Sequence, residues 1–128
     1  MTDLATIQPA IARALAKRGY ETLTPVQEAV LAPQLRDADL LVSAQTGSGK
    51  TVAFGISLGP TLMGDEEALP RAEAPLALAI APTRELALQV SNDLALAGVD
   101  RGIRVLTVYG GVPYEPQLEA LEAGIDVV

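Results

Sequence analysis

The octapeptide Ala-Gln-Thr-Gly-Ser-Gly-Lys-Thr at residues 44–51 constrains the fold of this 128-residue chain more than any other feature. An apolar run at 39–44 leads into it, and a helix is predicted to begin near Lys50. Gly47 and Gly49 allow the backbone to bend so that successive N–H groups point at a phosphate, and the helix start adds its positive dipole end. The sequence therefore predicts a strand, a phosphate-binding loop (P-loop) and a helix, in that order.

Two side chains at the end of the octapeptide have predicted roles of their own. Lys50 would bridge the terminal phosphates as a point charge, and the Thr51 hydroxyl would complete the coordination of a Mg2+ ion. The general pattern begins with Gly, where this chain has Ala44. The alternative is a glycine-rich turn with an incidental lysine, but Lys17 is the only other lysine in the chain. Phosphate binding is therefore the favoured interpretation.

Composition removes several other chemistries. The chain has no His and no Cys, which excludes disulfides, Cys or His metal sites, a catalytic cysteine and a histidine acid–base relay within it. The net charge is −7, which argues against nucleic-acid binding by bulk charge. Residues 1–60 are electrically balanced, whereas 61–128 hold four basic and eleven acidic residues. An anionic ligand would have to be held by a local site.

Hydrophobic periodicity predicts alternating strands and helices. The predicted helices cover 7–18, 25–33, 50–63, 84–97 and 115–123, and the predicted strands cover 39–44, 75–81, 103–109 and the start of a fourth at 125–128. We expect the strand at 39–44 to be buried on both faces because it lacks polar alternation, and 75–81 to be a second buried strand. Residues 64–74 are predicted to be a solvated acidic connection. The βα order implies an α/β fold with a parallel sheet.

No membrane segment is expected. The longest apolar stretch, 76–82, is far shorter than the roughly 20 residues of a spanning helix. The N-terminus lacks the basic start and apolar run of a secretory signal. We therefore expect a cytoplasmic location, with which the absence of cysteine agrees.

Residues 19–27, Gly-Tyr-Glu-Thr-Leu-Thr-Pro-Val-Gln, precede the P-loop by seventeen residues. Together with the P-loop and the segment Pro82–Ala87, they resemble the DEAD-box family of ATP-dependent RNA helicases. In that family, the segment at the position of 19–27 is the adenine-recognising Q motif. The resemblance implies that Gln27 reads adenine, with Tyr20 near the ring and Thr24 shaping the turn. A carboxamide suits this role because it can donate to and accept from the adenine edge at once. Taken alone, the segment is only a helix cap and a helix start.

This segment departs from the family in two ways. Leu23 stands where the family commonly has Pro, a mild change. An isolated aromatic that the family usually has upstream of the first helix is missing, near the position of Thr2. The resemblance therefore implies a weaker adenine affinity than is usual for the family, with selectivity through Gln27 unaffected.

The segment Pro82-Thr-Arg-Glu-Leu-Ala87 resembles the motif Ia of the same family, which contacts the sugar-phosphate backbone of RNA. Thr83 can cap the helix that begins at Arg84, and a guanidinium beside a helix start is suited to a phosphate. The alternative is an ordinary capped helix in which Arg84 pairs with Glu85 or Asp93. The pair at 110–111 resembles the glycine pair at which the family's RNA backbone approaches closely, although a glycine pair after a strand is more often only a turn.

The resemblance implies three sets of site residues. The catalytic residues are Lys50 and Thr51, with Thr51 also the Mg2+ ligand through its hydroxyl. The ATP-binding residues are Tyr20, Thr24, Gln27, Ala44, Gln45, Thr46, Gly47, Ser48, Gly49, Lys50 and Thr51. The RNA-binding residues are Pro82, Thr83, Arg84, Gly110 and Gly111.

The expected whole is part of a three-layer RecA-like domain with a mostly parallel sheet, cut after the start of the fourth strand. Residues 1–37 would hold the N-terminal helices with the Q motif, and 38–128 the βα core. The family's Asp-Glu-Ala-Asp magnesium motif and its second RecA-like domain are not in the sequence. We therefore expect the full-length parent to unwind short RNA duplexes, and this chain to bind adenine nucleotide without hydrolysing it.

Two alternative functions remain compatible with the sequence. One is a different P-loop ATPase or a small-substrate kinase, which would make the Q-like segment and Pro82–Ala87 coincidences. The other is a non-enzymatic nucleotide-binding interaction fragment. A sheet that ends at Val128 would expose apolar edges, so a strand-exchanged homodimer is also expected.

Overall fold

The computed structural model of the chain describes residues 4–64, 72–98 and 103–128. It divides the chain into two compact units, Met1–Glu67 and Ala68–Val128. Residues 65–71, the centre of the predicted acidic connection, lie outside the described residues.

The first described element of the first unit is a short 3-10 helix, Leu4–Thr6, which is followed by α1, Pro9–Ala16. The Gln8 side-chain oxygen caps α1 by accepting from the backbone N–H groups of Ala10 at 2.7 Å and Ile11 at 3.1 Å. The predicted apolar stripe of Ile7, Ile11, Ala14 and Leu15 is buried, which confirms an amphipathic helix here. The helix is shorter than the predicted 7–18, and Ile7 precedes it. Gly19, with φ of +81°, follows the helix as the predicted stop.

The described part of the first unit holds two further helices, α2, Pro25–Ala29, and α3, Lys50–Met63, with a 3-10 turn at Pro33–Leu35 between them. The helix α2 ends before the predicted limit at residue 33. The bounds of α3 agree with the prediction. Gly59 of α3 lies against Ile11 of α1, where a Cβ would collide with the isoleucine side chain, so glycine allows close contact there. The core of this unit consists of Leu4, Ile7, Ile11, Leu15, Leu23 and Ile56.

The segment 39–44 is not the strand buried on both faces that its composition predicts. It has no regular secondary structure and forms no β-ladder with the described residues. Leu40 and Val42 are exposed, and Leu41 is completely so. A strand can bury two apolar faces only when neighbouring strands and covering helices surround it, and the described part of the first unit provides no paired strand.

The second unit contains a parallel three-segment arrangement. Val127 forms a parallel bridge with Ala77 on one side and with Val105 on the other. The order in space is therefore the segment around Ala77, then that around Val127, then that around Val105. The connecting helices are α4, Arg84–Gly98, and α5, Glu115–Ala123. The predicted parallel pairing is confirmed, as are the bounds of α5.

The segment 75–81 is half-buried on one face and exposed on the other, so its prediction as a second buried strand is wrong. Ala77, Ala79 and Ala81 are half-buried, whereas Leu76, Leu78 and Ile80 are exposed. Side chains alternate across a strand, and the larger residues occupy the face that no described element covers.

The end of this arrangement is fixed by a buried ion pair. The Asp126 side chain is fully buried, and its Oδ2 atom accepts from the backbone N–H of Arg104 at 2.7 Å and from Nε of Arg104 at 3.2 Å. Its Oδ1 atom accepts from Nη2 of Arg104 at 3.2 Å. The paired carboxylate thus joins two neighbouring extended segments.

Among the described helices, none has the length and apolar character needed to cross a membrane.

Candidate functional site

The P-loop follows the apolar segment 39–44 and ends where α3 begins. Gly47 and Gly49 have φ of +80° and +88°, in the left-handed region that favours glycine. The Ser48 N–H donates to the Gln45 carbonyl at 3.2 Å, which closes a tight turn. The bent loop before a helix is therefore present where the sequence predicts it. Gln45 and Thr46 are exposed, and Ala44 and Thr51 are half-buried.

The Lys50 side chain folds back over the loop. Its Nζ atom donates to the carbonyl oxygens of Ala44 and of Gln45, the latter at 3.1 Å. These contacts keep the ammonium beside the loop, where it can act on an anion held by the backbone N–H groups. Ser48 Oγ is buried without a hydrogen-bond partner among the described residues, which leaves a polar atom in the loop for a ligand or water to satisfy.

The segment 19–27 is hydrogen-bonded to the P-loop. The Thr24 hydroxyl donates to the Ser48 carbonyl at 2.8 Å, and the Gln27 Nε2 atom donates to the Gly49 carbonyl at 3.3 Å. These bonds join residues 24 and 22 positions apart in the chain. The structure thus brings two of the predicted adenine-site residues into direct contact with the predicted phosphate site.

Gln27 has a structural role that the sequence interpretation missed. It is 1% exposed, and its Oε1 atom accepts from the Thr24 backbone N–H at 3.0 Å. This is the reciprocal bond of a capping box, and its signal in the sequence was Thr24 followed three residues later by Gln. Each carboxamide atom still has a second hydrogen-bonding position. Tyr20, the third predicted residue of the segment, is 39% exposed.

A separate group of predicted residues comes together in the second unit. Thr83 Oγ1 caps α4 by accepting from the Leu86 N–H at 3.2 Å. Arg84 Nη2 donates to the Gly110 carbonyl at 2.6 Å. Gly111 has φ of +81°, and a Cβ there would lie 3.1 Å from Arg84 Nη2. The predicted motif Ia and the predicted glycine pair therefore meet in space, and Pro82 lies exposed beside them.

The alternative partners of Arg84 are not used. Within the described residues, Arg84 contacts the Gly110 carbonyl and forms no ion pair with Glu85 or Asp93. Its guanidinium carbon also lies 4.8 Å from the centre of the Tyr109 ring. The sequence interpretation missed Tyr109, whose only signal was its position directly before the glycine pair.

The donors of the P-loop fit a phosphate ligand. The loop offers the Lys50 ammonium, the start of a 14-residue helix and the backbone N–H groups of a bend at Gly47 and Gly49. Groups of these kinds bind phosphates in other proteins. The Thr51 hydroxyl suits one position around Mg2+, an ion that keeps several water ligands. Within the described residues, no three acidic side chains cluster closely enough to hold a metal ion by themselves.

Comparison with known proteins agrees with this arrangement. A family model described as DEAD/DEAH box helicase matches residues 24–128. The chain is 40% identical over 133 residues to the ATP-dependent RNA helicase RhlB of Xanthomonas campestris pv. campestris (strain B100), covering 100% of this chain and 23% of that protein. It is 43% identical over 122 residues to the DEAD-box ATP-dependent RNA helicase 53 of Oryza sativa subsp. japonica, covering 95% of this chain and 20% of that protein.

Two solved structures show the same fold. A DEAD box protein from Methanococcus jannaschii superposes with a TM-score of 0.76 at 31% identity, over 95% of this chain and 32% of that one. The yeast DEAD-box splicing factor Prp28 gives a TM-score of 0.79 at 26% identity, over 99% of this chain and 31% of that one. The predicted α/β RecA-like fold is thereby confirmed.

The chain spans about a fifth to a quarter of the length of the curated relatives that it matches. The match nevertheless includes Gln27, the whole P-loop, the segment 82–87 and the glycine pair at 110–111. Because the family model covers most of the chain, membership does not depend on any single motif. This chain belongs to the DEAD/DEAH box helicase family.

Proposed function

We propose that this chain is the ATP-binding and RNA-binding portion of an ATP-dependent RNA helicase. The observation that carries the proposal is the pair of hydrogen bonds from Thr24 and Gln27 to the carbonyls of Ser48 and Gly49. They attach a candidate adenine reader directly to a candidate phosphate cradle.

The nucleotide site has a division of roles. Gly47 and Gly49 shape the backbone that surrounds the phosphates, and Lys50 supplies the positive charge. Thr51 would hold Mg2+, which when bound offsets phosphate charge. Gln27 presents its remaining donor and acceptor positions to the adenine edge. The two bonds that Gln27 already makes fix its amide plane and therefore its hydrogen-bonding direction.

The RNA contact is proposed for the second unit, at Pro82, Thr83, Arg84, Gly110 and Gly111. Arg84 can still donate to a phosphate because only one of its N–H groups is used by Gly110. The absence of side-chain bulk at 110–111 allows a sugar-phosphate backbone to approach. None of these residues is aromatic, and we expect binding without preference for RNA sequence.

The helicase activity itself is proposed for the full-length parent protein, in the cytoplasm. The 128 residues contain no Asp-Glu-Ala-Asp sequence, and hydrolysis requires a positioned water and charge stabilisation around the transferred phosphate. We therefore expect this chain to bind adenine nucleotide with no measurable ATPase activity. RNA-stimulated phosphate release by the purified chain would overturn this part of the proposal.

The adenine-reading role can be tested by calorimetry with ADP and GDP. The wild-type chain should prefer ADP by about tenfold or more, since a bidentate base contact distinguishes bases to that degree. Gln27→Ala should remove the preference, and the ratio of the two affinities is the measurement because any general loss of structure affects both nucleotides. Gln34→Ala, an exposed glutamine outside the site, is the matched control.

Each result of this experiment has a distinct meaning. Equal ADP and GDP affinity in the wild type would contradict the adenine reader and support another P-loop ATPase or kinase. A preference that Gln27→Ala leaves unchanged would place base recognition on other residues. Lys50→Ala should weaken the binding of ADP and GDP equally, because both nucleotides carry the phosphates that Lys50 contacts in the proposed site.

A further inference from the structure

Tyr109 and Arg84 form a contact that neither motif explains. The Arg84 guanidinium carbon lies 4.8 Å from the centre of the Tyr109 ring, well inside the distance at which an aromatic face attracts a cation. The same guanidinium donates to the Gly110 carbonyl at 2.6 Å. Tyr109 and Gly110, at the end of one extended segment, thus both contact the side chain of Arg84, the first residue of α4.

The two contacts constrain the guanidinium differently. The hydrogen bond to Gly110 fixes the Nη2 position, and the ring of Tyr109 fixes the orientation of the guanidinium plane. Gly111 completes the enclosure, because a Cβ there would lie 3.1 Å from Nη2. A free arginine side chain samples many rotamers and loses that freedom on binding. An arginine held on a ring has lost much of it beforehand.

We infer that Tyr109 is a positioning residue for RNA binding: its ring orients the Arg84 guanidinium toward the phosphate of the bound strand. This inference rests on the RNA contact proposed above. Tyr109 itself is not required to touch RNA. The ring is the working part, so the phenolic hydroxyl should be dispensable.

The test measures binding of a short fluorescein-labelled oligouridine to the full 128-residue chain by fluorescence anisotropy at fixed salt. Tyr109→Leu should weaken binding about two- to fivefold, the effect of one exposed cation–π contact. Tyr109→Phe should restore wild-type affinity because it retains the ring. Tyr114→Leu is the matched control, since Tyr114 is a 68% exposed tyrosine of the same unit.

A double-mutant cycle separates positioning from a general structural effect. In an Arg84→Ala background, Tyr109→Leu should have no further effect on affinity, because the group that it orients is absent. Arg84→Ala alone should reduce the salt dependence of binding, by about 0.7 in the slope of log affinity against log salt, for one lost phosphate contact. Tyr109→Leu should leave that slope unchanged. Additive losses in the cycle would overturn the inference.

An NMR measurement keeps the inference distinct from the proposed function. The Arg84 side-chain protons should show ring-current shifts in the wild type and in Tyr109→Phe, and lose them in Tyr109→Leu. If Arg84→Ala does not weaken oligouridine binding, the proposed RNA site is wrong and the positioning role with it, whatever the shifts show. If Arg84→Ala weakens binding but Tyr109→Leu does not, only the positioning role is wrong.

Discussion

Gly49 is the residue at which the nucleotide site depends most on the absence of a side chain. Its φ of +88° lies in the left-handed region, and a Cβ would press on the Gln27 amide nitrogen and lie 3.2 Å from the Thr24 hydroxyl. The backbone conformation and the packing both require glycine. The loop and the segment 19–27 can contact each other only because both requirements are met at one position.

We predict that Gly49→Ala lowers the free energy of unfolding more than Gly19→Ala does. Gly19 has nearly the same φ, +81°, but nothing lies within 4 Å of a Cβ placed there. Its substitution should therefore cost about 1–2 kcal/mol for the left-handed conformation alone. Gly49→Ala should cost about 1–3 kcal/mol more, from overpacking against Gln27 and Thr24. Urea denaturation of the two variants measures the difference, and equal losses would show that the predicted clash relaxes freely.

At the residue scale, sequence reasoning succeeded where a requirement is local. The bends at Gly47 and Gly49 follow from a motif of eight consecutive residues. The capping role of Gln27 was missed although its spacing from Thr24 was visible, because the same glutamine was assigned to base recognition. The stacking of Tyr109 on Arg84 could not be predicted, since it joins positions far apart in the chain and depends on the tertiary fold.

At the element scale, helices and strands differ in how far sequence determines them. The ends of α3 and α5 were predictable because a glycine follows each helix, Gly64 and Gly124, and a glycine stop acts within a few positions. The segments 39–44 and 75–81 were predicted as buried strands, the first of them on both faces, and that burial is absent. The composition of a segment shows that it is apolar. Whether the segment is buried depends on the strands and helices that pack against it, and these are set by the rest of the chain.

The ion pair of Arg104 and Asp126 was not predicted either, and it joins two of the paired segments in the second unit. The carboxylate is fully buried, whereas the Arg104 side chain is 34% exposed. Removing one partner therefore has a different consequence from removing the other. A buried carboxylate without a cation is costly, but a partly exposed guanidinium can turn to water.

We predict that Arg104→Ala destabilises the chain by about 3–5 kcal/mol, because it leaves the Asp126 charge buried and unpaired. Asp126→Asn should cost less, about 1–2 kcal/mol, because the amide oxygen can still accept from the Arg104 backbone N–H. Arg18→Ala, an exposed arginine of α1's C-terminal flank, should change stability by less than about 0.5 kcal/mol. Urea denaturation followed by circular dichroism ranks the three. A larger loss for Asp126→Asn than for Arg104→Ala would contradict the argument from burial.

At the scale of the whole molecule, the net charge of −7 is compatible with the proposed anionic ligands. The excess acidity lies in residues 61–128, away in sequence from the P-loop. In the second unit, the proposed phosphate contact depends on one guanidinium and on backbone geometry. Salt should therefore weaken RNA binding only modestly, in contrast to a protein that binds through many lysines and arginines.

The last prediction concerns self-association of the purified chain. Leu76, Leu78 and Ile80 form an exposed apolar row, with Ile80 88% exposed, and such rows mark association surfaces or unpaired sheet faces. We expect light scattering after size-exclusion chromatography to give a mass above the 13.3 kDa of one chain, as a homodimer that buries this row would give. Leu78→Asp with Ile80→Asp should shift the mass toward the monomer, because charge on this row opposes its burial. Leu118→Asp on α5 is the control, since Leu118 is a 40% exposed leucine outside the row. A wild-type monomer that persists at high concentration would contradict the prediction.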